Sequence, residues 1–260
     1  MNNLAGHISD WINTVPRPDD RPLILMLSGA QGIGKSTAVR ELTAHDPGIC
    51  ALGLDDVYLT LAERERLARE VHPLFVTRGP PGTHDLPLLN STIDRLLTAG
   101  AHDETPLPKF SKRLDDRLPE NDWPVWTGRP RIILLEGWML GALPDDEAPF
   151  APPCNSVEEE DPDGIWRSFQ ETYLRAAYSR LWDRAHAFCH IKAPDIDAIL
   201  GWRRQQELDN QKVRTLTAEQ DAWLVRFIQH YERITRRMLS GRHREGHVLR
   251  VDQNRSLIAS

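Results

Sequence analysis

Eight residues constrain this chain more than any others: Gly29-Ala30-Gln31-Gly32-Ile33-Gly34-Lys35-Ser36, a G-x-x-x-x-G-K-S loop. The loop follows an apolar run, Leu23–Ser28, that reads as a buried strand, and it leads into Lys35–Ala44, which reads as a helix. That strand–loop–helix setting is the one the motif requires. Glycines let successive backbone N–H groups turn inward around an anion, because no Cβ obstructs the dihedrals this needs. The following helix presents its positive end to the same point. Lys35 adds a mobile cation for β- and γ-phosphates, and the Ser36 hydroxyl is suited to Mg²⁺. At ordinary residue frequencies, four fixed positions match by chance in roughly 1% of chains of this length. Gly29, Ala30, Gln31, Gly32, Ile33, Gly34, Lys35, Ser36 and Thr37 are therefore the expected nucleotide contacts, with ATP and Mg²⁺ as cofactors.

The remainder alternates apolar runs with helical periodicity. Ile49–Leu54 and Arg131–Leu135 read as strands, the second as a central one. Phe188–Ile191 and His247–Val251 are weaker strand candidates. Helical spacing covers Leu61–Val71, Leu86–Ala99, Ser168–Ala185, Ile196–Asn210 and Ala218–Ser240. In the last, Trp223, Phe227, Tyr231, Ile234 and Met238 recur every three or four residues, and Thr217 with Gln220 has capping-box spacing. Strands alternating with helices predict an α/β fold of three layers, α/β/α, with a mostly parallel central sheet. Met1–Pro16 reads as a short amphipathic helix, so residues 1–20 are expected to form an N-terminal helical extension to a domain over 21–260. Two stretches break the pattern: 100–130, rich in Pro and charge, and 141–164, with eight carboxylates and no Lys or Arg.

Composition narrows the function classes. The formal charge of −6 disfavours a dedicated nucleic-acid binder, which usually carries a basic signature. No apolar run approaches the roughly 20 residues of a membrane-spanning helix. Cys50, Cys154 and Cys189 form no C-x-x-C pair, which fits free thiols in a reducing, cytoplasmic setting with no membrane partner. Outside the acidic stretch, 32 basic residues face 30 acidic ones, and the last sixty residues carry twelve Lys+Arg against seven acids.

Carboxylates at strand ends suggest what is done with the nucleotide. Gly53-Leu54-Asp55-Asp56-Val57-Tyr58 follows the second strand, at the sheet edge where ligands bind in open α/β folds. Asp55 or Asp56 is placed to accept a proton from an attacking hydroxyl, to hold Mg²⁺, or simply to cap the next helix. Glu136 ends the run Arg131–Leu135, a position suited to ordering Mg²⁺ or its water. No Asn-Lys-x-Asp guanine-reading motif occurs. Arg78 adjoins the rigid turn Gly79-Pro80-Pro81-Gly82, and Thr83, His84 and Asp85 precede a helix that Asp85 is placed to cap. Lys112, Arg113 and Arg117 are candidates for gripping an anionic acceptor, with Lys112 and Arg117 preferred over Arg113; solvated surface charge is the alternative for each. Arg203 and Arg204 lie on a charged helix, where an arginine could meet the moving phosphoryl group. Trp202 reads as packing rather than adenine stacking. His243 and His247, with Gly246 between them, do not make a zinc site, and the basic run Arg233–Arg244 reads as a solvated helix end.

The phosphate loop, L-D-D-V-Y-L-T, R-G-P-P-G-T-H-D, L-P-K-F-S-K-R-L-D-D-R and L-L-E-G-W-M-L-G, in that order, resemble the glycerate kinase family of plant and fungal type. That family belongs with uridine kinase, phosphoribulokinase and pantothenate kinase in one group of P-loop kinases. The resemblance spans about Leu23 to Asp252. It implies a P-loop fold with a helical lid over about 195–216 carrying Arg203 and Arg204, and acceptor-pocket segments within about 72–130. Asp55 takes the place of the group's general base, and Tyr58, Arg78, Thr83, His84, Asp85, Lys112 and Arg117 fall among the acceptor contacts. Val57 stands where the group's D-D-F-Y signature has an aromatic, and Ser111 where F-D-K-S has Asp. The implied activity is ATP- and Mg²⁺-dependent phosphorylation of a small hydroxy acid, D-glycerate to 3-phosphoglycerate. The alternatives are a kinase of the same fold acting on a nucleoside, pantothenate or polyol, and an ATP-binding regulator that transfers nothing.

Overall fold

Strand β1 (Leu23–Gly29) is buried at every position and hydrogen-bonded along both edges, which is why its sequence is apolar without alternation. The computed structural model describes residues 3–17 and 21–258. In chain order the other strands are β2 (Ile49–Gly53), β3 (Glu104–Pro106), β4 (Phe110–Ser111), β5 (Asp116–Arg117), β6 (Val125–Thr127), β7 (Ile132–Gly137), β8 (Ala187–Lys192), β9 (His247–Val251) and β10 (Leu257–Ile258). Among the described residues one six-stranded sheet runs β10-β9-β8-β1-β7-β2, parallel except for the edge strand β10. The Pro- and charge-rich stretch forms two short antiparallel pairs, β3 with β6 and β4 with β5.

The helices are α1 (Leu4–Thr14), α2 (Lys35–His45), α3 (Leu61–Glu70), α4 (Leu86–Thr98), α5 (Ile165–Tyr173), α6 (Ser179–Trp182), α7 (Ile196–Gln211), α8 (Ala218–Gln229) and α9 (Glu232–Leu239). Alternate strand residues feed two cores. Ile24, Met26, Ile133 and Leu135 pack against α4, α6 and α9. Leu23, Leu25, Leu27, Ile132 and Leu134 pack against α1, α2 and α7. The predicted three layers are therefore present. Helix α1, expected as an extension, buries Ala5, Ile8, Trp11 and Ile12 in the second core; Met1 and Asn2 of that predicted segment, and residues 18–20, lie outside the described residues.

Three expectations change. The helix predicted over Ala218–Ser240 is two helices, broken at His230 and Tyr231, where the Tyr231 hydroxyl donates to the Arg78 carbonyl at 2.7 Å. The three-and-four spacing continues across the break, so periodicity alone does not reveal it. The helix predicted over Ser168–Ala185 carries a π turn at Leu174–Tyr178 between α5 and α6. The run Arg233–Arg244 is not a solvated end, because the acidic stretch 141–164 neutralises much of it. Glu158 pairs with Arg233, and Asp145 accepts from Arg242 at 2.8 Å. Arg237, 5% exposed, bonds Glu171 at 2.5 Å and the Leu143 carbonyl at 2.9 Å. Within the stretch itself Asp161, 1% exposed, takes Arg167 Nε at 3.0 Å.

A buried pair that loses one partner leaves the other charge desolvated. Arg237→Met is therefore expected to lower the unfolding free energy by about 3–5 kcal/mol in urea melts. A loss below about 1 kcal/mol would mean Glu171 finds water or another partner on its own.

Candidate active site

The register of three parallel strands assembles the site. Glu136 of β7 stands beside Leu27 of β1 and Gly53 of β2, so the C-terminal ends of all three emerge together. From β1 the chain enters the phosphate loop, whose Gly32 and Gly34 have φ of +76° and +100°, where a side chain is strained. Gly34 is the N-cap of α2. A Cβ on Gly32 would sit 2.9 Å from that of Trp202, so α7 packs directly on the loop. Trp202 is 6% exposed and donates its indole N–H to the Gln253 carbonyl at 2.7 Å, a packing residue as its sequence context suggested.

Lys35 opens α2 and is buried. Its Nζ donates to the Ala30 carbonyl at 3.3 Å and lies 4.0 Å from Glu136 Oε2. Burial lowers its pKa, while Glu136 and Asp55 pull in the opposite direction. The Ser36 hydroxyl donates to Glu136 Oε1 at 2.6 Å. The 3₁₀ turn Leu54–Val57 after β2 then separates the two aspartates. Asp55 faces a cleft of about 530 Å³, where it accepts from Tyr58 at 2.7 Å and Lys112 at 2.9 Å. Burial opposes its ionisation, but Lys112 and the Tyr58 hydroxyl outweigh burial and hold its pKa well below the usual carboxylate range. Asp56 turns away to Lys109 and the Phe110 N–H, and burial raises its pKa.

The cleft brings together Gln31, Gly32, Lys35, Ser36, Asp55 and Tyr58 with Arg78, Lys112, Glu136 and Arg203. It does not include the other expected acceptor contacts. Thr83 is buried and bonds within its own turn, its hydroxyl accepting from Gly79 N and donating to the Pro80 carbonyl. His84 is buried beneath Tyr58, with Nδ1 2.5 Å from the Tyr178 hydroxyl, and burial lowers its pKa to about 3. Asp85 caps α4 through Leu88 N and accepts from Arg117 at 2.8 Å, which turns Arg117 from the cleft. Gly29, Ala30, Ile33 and Gly34 of the loop, and Thr37 in the first turn of α2, do not line the cleft. Arg204, beside Arg203, reaches Asp221 of α8 instead. Arg113, ranked below Arg117 in the sequence, lines the cleft, as do Trp138, Trp223, Phe227 and Tyr231. Only the helical stripe of aromatics hinted at the last three, and it read as helix periodicity rather than as a cleft wall.

The donor set suits a nucleoside polyphosphate with a hard divalent cation. Gln31 Nε2 is buried in the loop without a hydrogen-bond partner among the described residues, an N–H₂ group left for an incoming acceptor oxygen. Ser36 and Glu136 offer the hydroxyl and carboxylate oxygens that Mg²⁺ prefers.

The chain is 30% identical over 241 residues to an uncharacterised kinase, mug58, of Schizosaccharomyces pombe, covering 88% of this chain and 85% of that one. It is 31% identical over 204 residues to the chloroplastic D-glycerate 3-kinase of Arabidopsis thaliana, covering 73% of this chain but 42% of the plant protein. The chain belongs to the D-glycerate 3-kinase family of P-loop kinases. It is thus an enzyme that uses a nucleotide, a phosphotransferase of the class with an alcohol group as acceptor. The fold agrees with the solved D-glycerate 3-kinase of Cryptococcus neoformans, at a TM-score of 0.76 and 23% identity over 98% of this chain and 96% of that one. No protein-family model matches the sequence. Among the described residues no helix is long and apolar enough to cross a membrane.

Removing the Lys112 charge leaves burial as the main influence on Asp55. In Lys112→Ala the Asp55 titration midpoint is expected to move to higher pH, as followed by carboxyl NMR. An unchanged midpoint would assign the stabilised carboxylate to Tyr58 and Lys35.

Proposed function

We propose that this kinase transfers the γ-phosphoryl group of ATP to a hydroxyl of a small hydroxy acid, D-glycerate giving 3-phosphoglycerate. The observation that carries the reading is that the phosphate loop and Asp55, with its cationic neighbours, share one cleft. Lys35 meets the β- and γ-phosphates from the base of that cleft. Mg²⁺, held through Ser36 and Glu136, would offset phosphate charge. Asp55 holds the acceptor hydroxyl and takes its proton as the new O–P bond forms and the bond to ADP breaks. Lys112 and Arg78 supply cations for the acceptor's carboxylate. Arg203, from the proposed lid segment 195–216, faces the transferring group. The names of the plant and fungal relatives favour D-glycerate within this class.

The deciding experiment is a coupled ADP-release assay across D-glycerate, nucleosides, pantothenate and neutral polyols. ADP release dependent on D-glycerate supports the reading, release with another acceptor reassigns the substrate, and slow release indifferent to every acceptor rejects transfer to a small molecule. Lys35→Ala is expected to abolish turnover and weaken ATP binding; undiminished turnover would remove the nucleotide assignment. Asp55→Asn should lower kcat by about 10²- to 10⁴-fold with little change in ATP affinity. An unchanged kcat would place the proton acceptor elsewhere.

A further inference from the structure

Phe227 stands apart from the other aromatics of the cleft. The Arg78 guanidinium lies over its ring, 5.7 Å from the centroid, and the Arg203 guanidinium lies over the same ring at 5.8 Å. The two arginines come from distant parts of the chain, Arg78 from the turn before α4 and Arg203 from α7. Each has one carboxylate partner among the described residues, Asp115 for Arg78 and Glu207, at 3.3 Å, for Arg203. Both side chains are largely covered, at 15% and 14% exposure, and both line the cleft that holds Asp55. Burial, opposed by Glu207, lowers the Arg203 pKa, and the nearby Arg78 charge lowers it further.

The ring is itself fixed. Trp223 stacks on it at 5.3 Å and 18°, and Tyr231 packs at 5.0 Å. Tyr231 also fixes the Arg78 main chain: its hydroxyl donates to the Arg78 carbonyl at 2.7 Å, and a Cβ on Gly79 would collide with that hydroxyl. Trp138 meets Tyr231 edge-on and donates its indole N–H to the Gly79 carbonyl at 3.2 Å. Two guanidinium groups repel, and the negative face of one ring attracts both. An anion in front of the pair gains from each cation, with little reorganisation when it arrives.

We propose that Phe227 is a positioning residue for phosphoryl transfer, a shared aromatic platform that sets Arg78 on the acceptor side and Arg203 on the phosphate side toward the anion between them. This rests on the reading of the cleft as a transfer site for an anionic acceptor. Phe227 touches neither substrate nor reacting atoms on this account; it acts through the two arginines.

Phe227→Leu keeps apolar bulk and loses the ring, whereas Phe227→Tyr keeps the ring. In the full chain, Phe227→Leu is expected to lower kcat/KM for the acceptor identified by the panel about tenfold to a hundredfold, the loss falling on both kcat and the acceptor KM. ATP affinity by calorimetry should stay within about threefold, and Phe227→Tyr should recover kcat/KM to within about threefold of wild type. Equal losses in the two variants, or none in Phe227→Leu, overturn the platform. If no acceptor supports ADP release in the wild type, the acceptor reading fails by itself. The variants are then compared by titrating orthovanadate onto enzyme loaded with ADP and Mg²⁺. Weaker vanadate binding in Phe227→Leu but not in Phe227→Tyr supports the platform, and equal affinity in all three proteins overturns it.

Discussion

The parallel register of β2, β7 and β1 is the constraint on which the rest of the cleft depends. A strand buried on both faces and bonded on both edges has no room for polar side chains along its length. The functional groups of such a sheet are therefore displaced to its C-terminal edge, and register decides which of them meet. Here Gly53, Glu136 and Leu27 lie side by side. A shift of one residue in β7 would carry Glu136 out of line with Ser36 and turn its alternating side chains to the opposite core. The bond from Ser36 to Glu136 and the approach of Lys35 to the same carboxylate are consequences of that pairing.

What could be read from the sequence was what is local to those strand ends. The phosphate loop, Asp55 and Glu136 each follow directly from an apolar run, so their placement needs no knowledge of distant contacts. Position alone does not separate the two aspartates, because both fit the same short motif, and only the family resemblance favours Asp55. The turn separates them by directing Asp55 to Lys112 and Asp56 to Lys109. Arg117 and Arg113 show the opposite case. Both are basic residues on one short segment, and Arg117 turns from the cleft because Asp85, some thirty residues earlier, engages it. Phe227 and Tyr231 were legible as apolar helix positions but not as cleft residues. Their partners, Arg78 and Arg203, come from elsewhere in the chain.

Charge counts mislead for the same reason. The last sixty residues hold twelve basic side chains against seven acids, which suggests a basic half ready for phosphate. Most of that surplus is already engaged. Arg226 and Arg233 pair with Glu160 and Glu158, Arg237 and Arg242 with Glu171 and Asp145, and Arg244 with Asp183. Three of those acids, Asp145, Glu158 and Glu160, belong to the acidic stretch, which is a structural counter-ion set rather than a free loop. Of the basic residues in this part of the chain, Arg203 is the one that lines the cleft.

The state of Asp55 bears on how the proposed transfer proceeds. A carboxylate held well below its usual pKa is a weak base, and a mechanism needing early, complete removal of the acceptor proton would be poorly served by it. Phosphoryl transfer makes little such demand, because its loose transition state gains more from alignment and charge compensation than from a deprotonated nucleophile. Asp55 is suited to aligning the hydroxyl first and receiving the proton late. The Lys112 side chain, 64% exposed, is the most accessible partner of that carboxylate. An acceptor bearing its own carboxylate would draw on Lys112 and release part of its hold on Asp55, raising its basicity as the acceptor arrives. A neutral polyol offers no such exchange, so the coupling of Lys112 to Asp55 is a physical argument for the proposed hydroxy-acid acceptor.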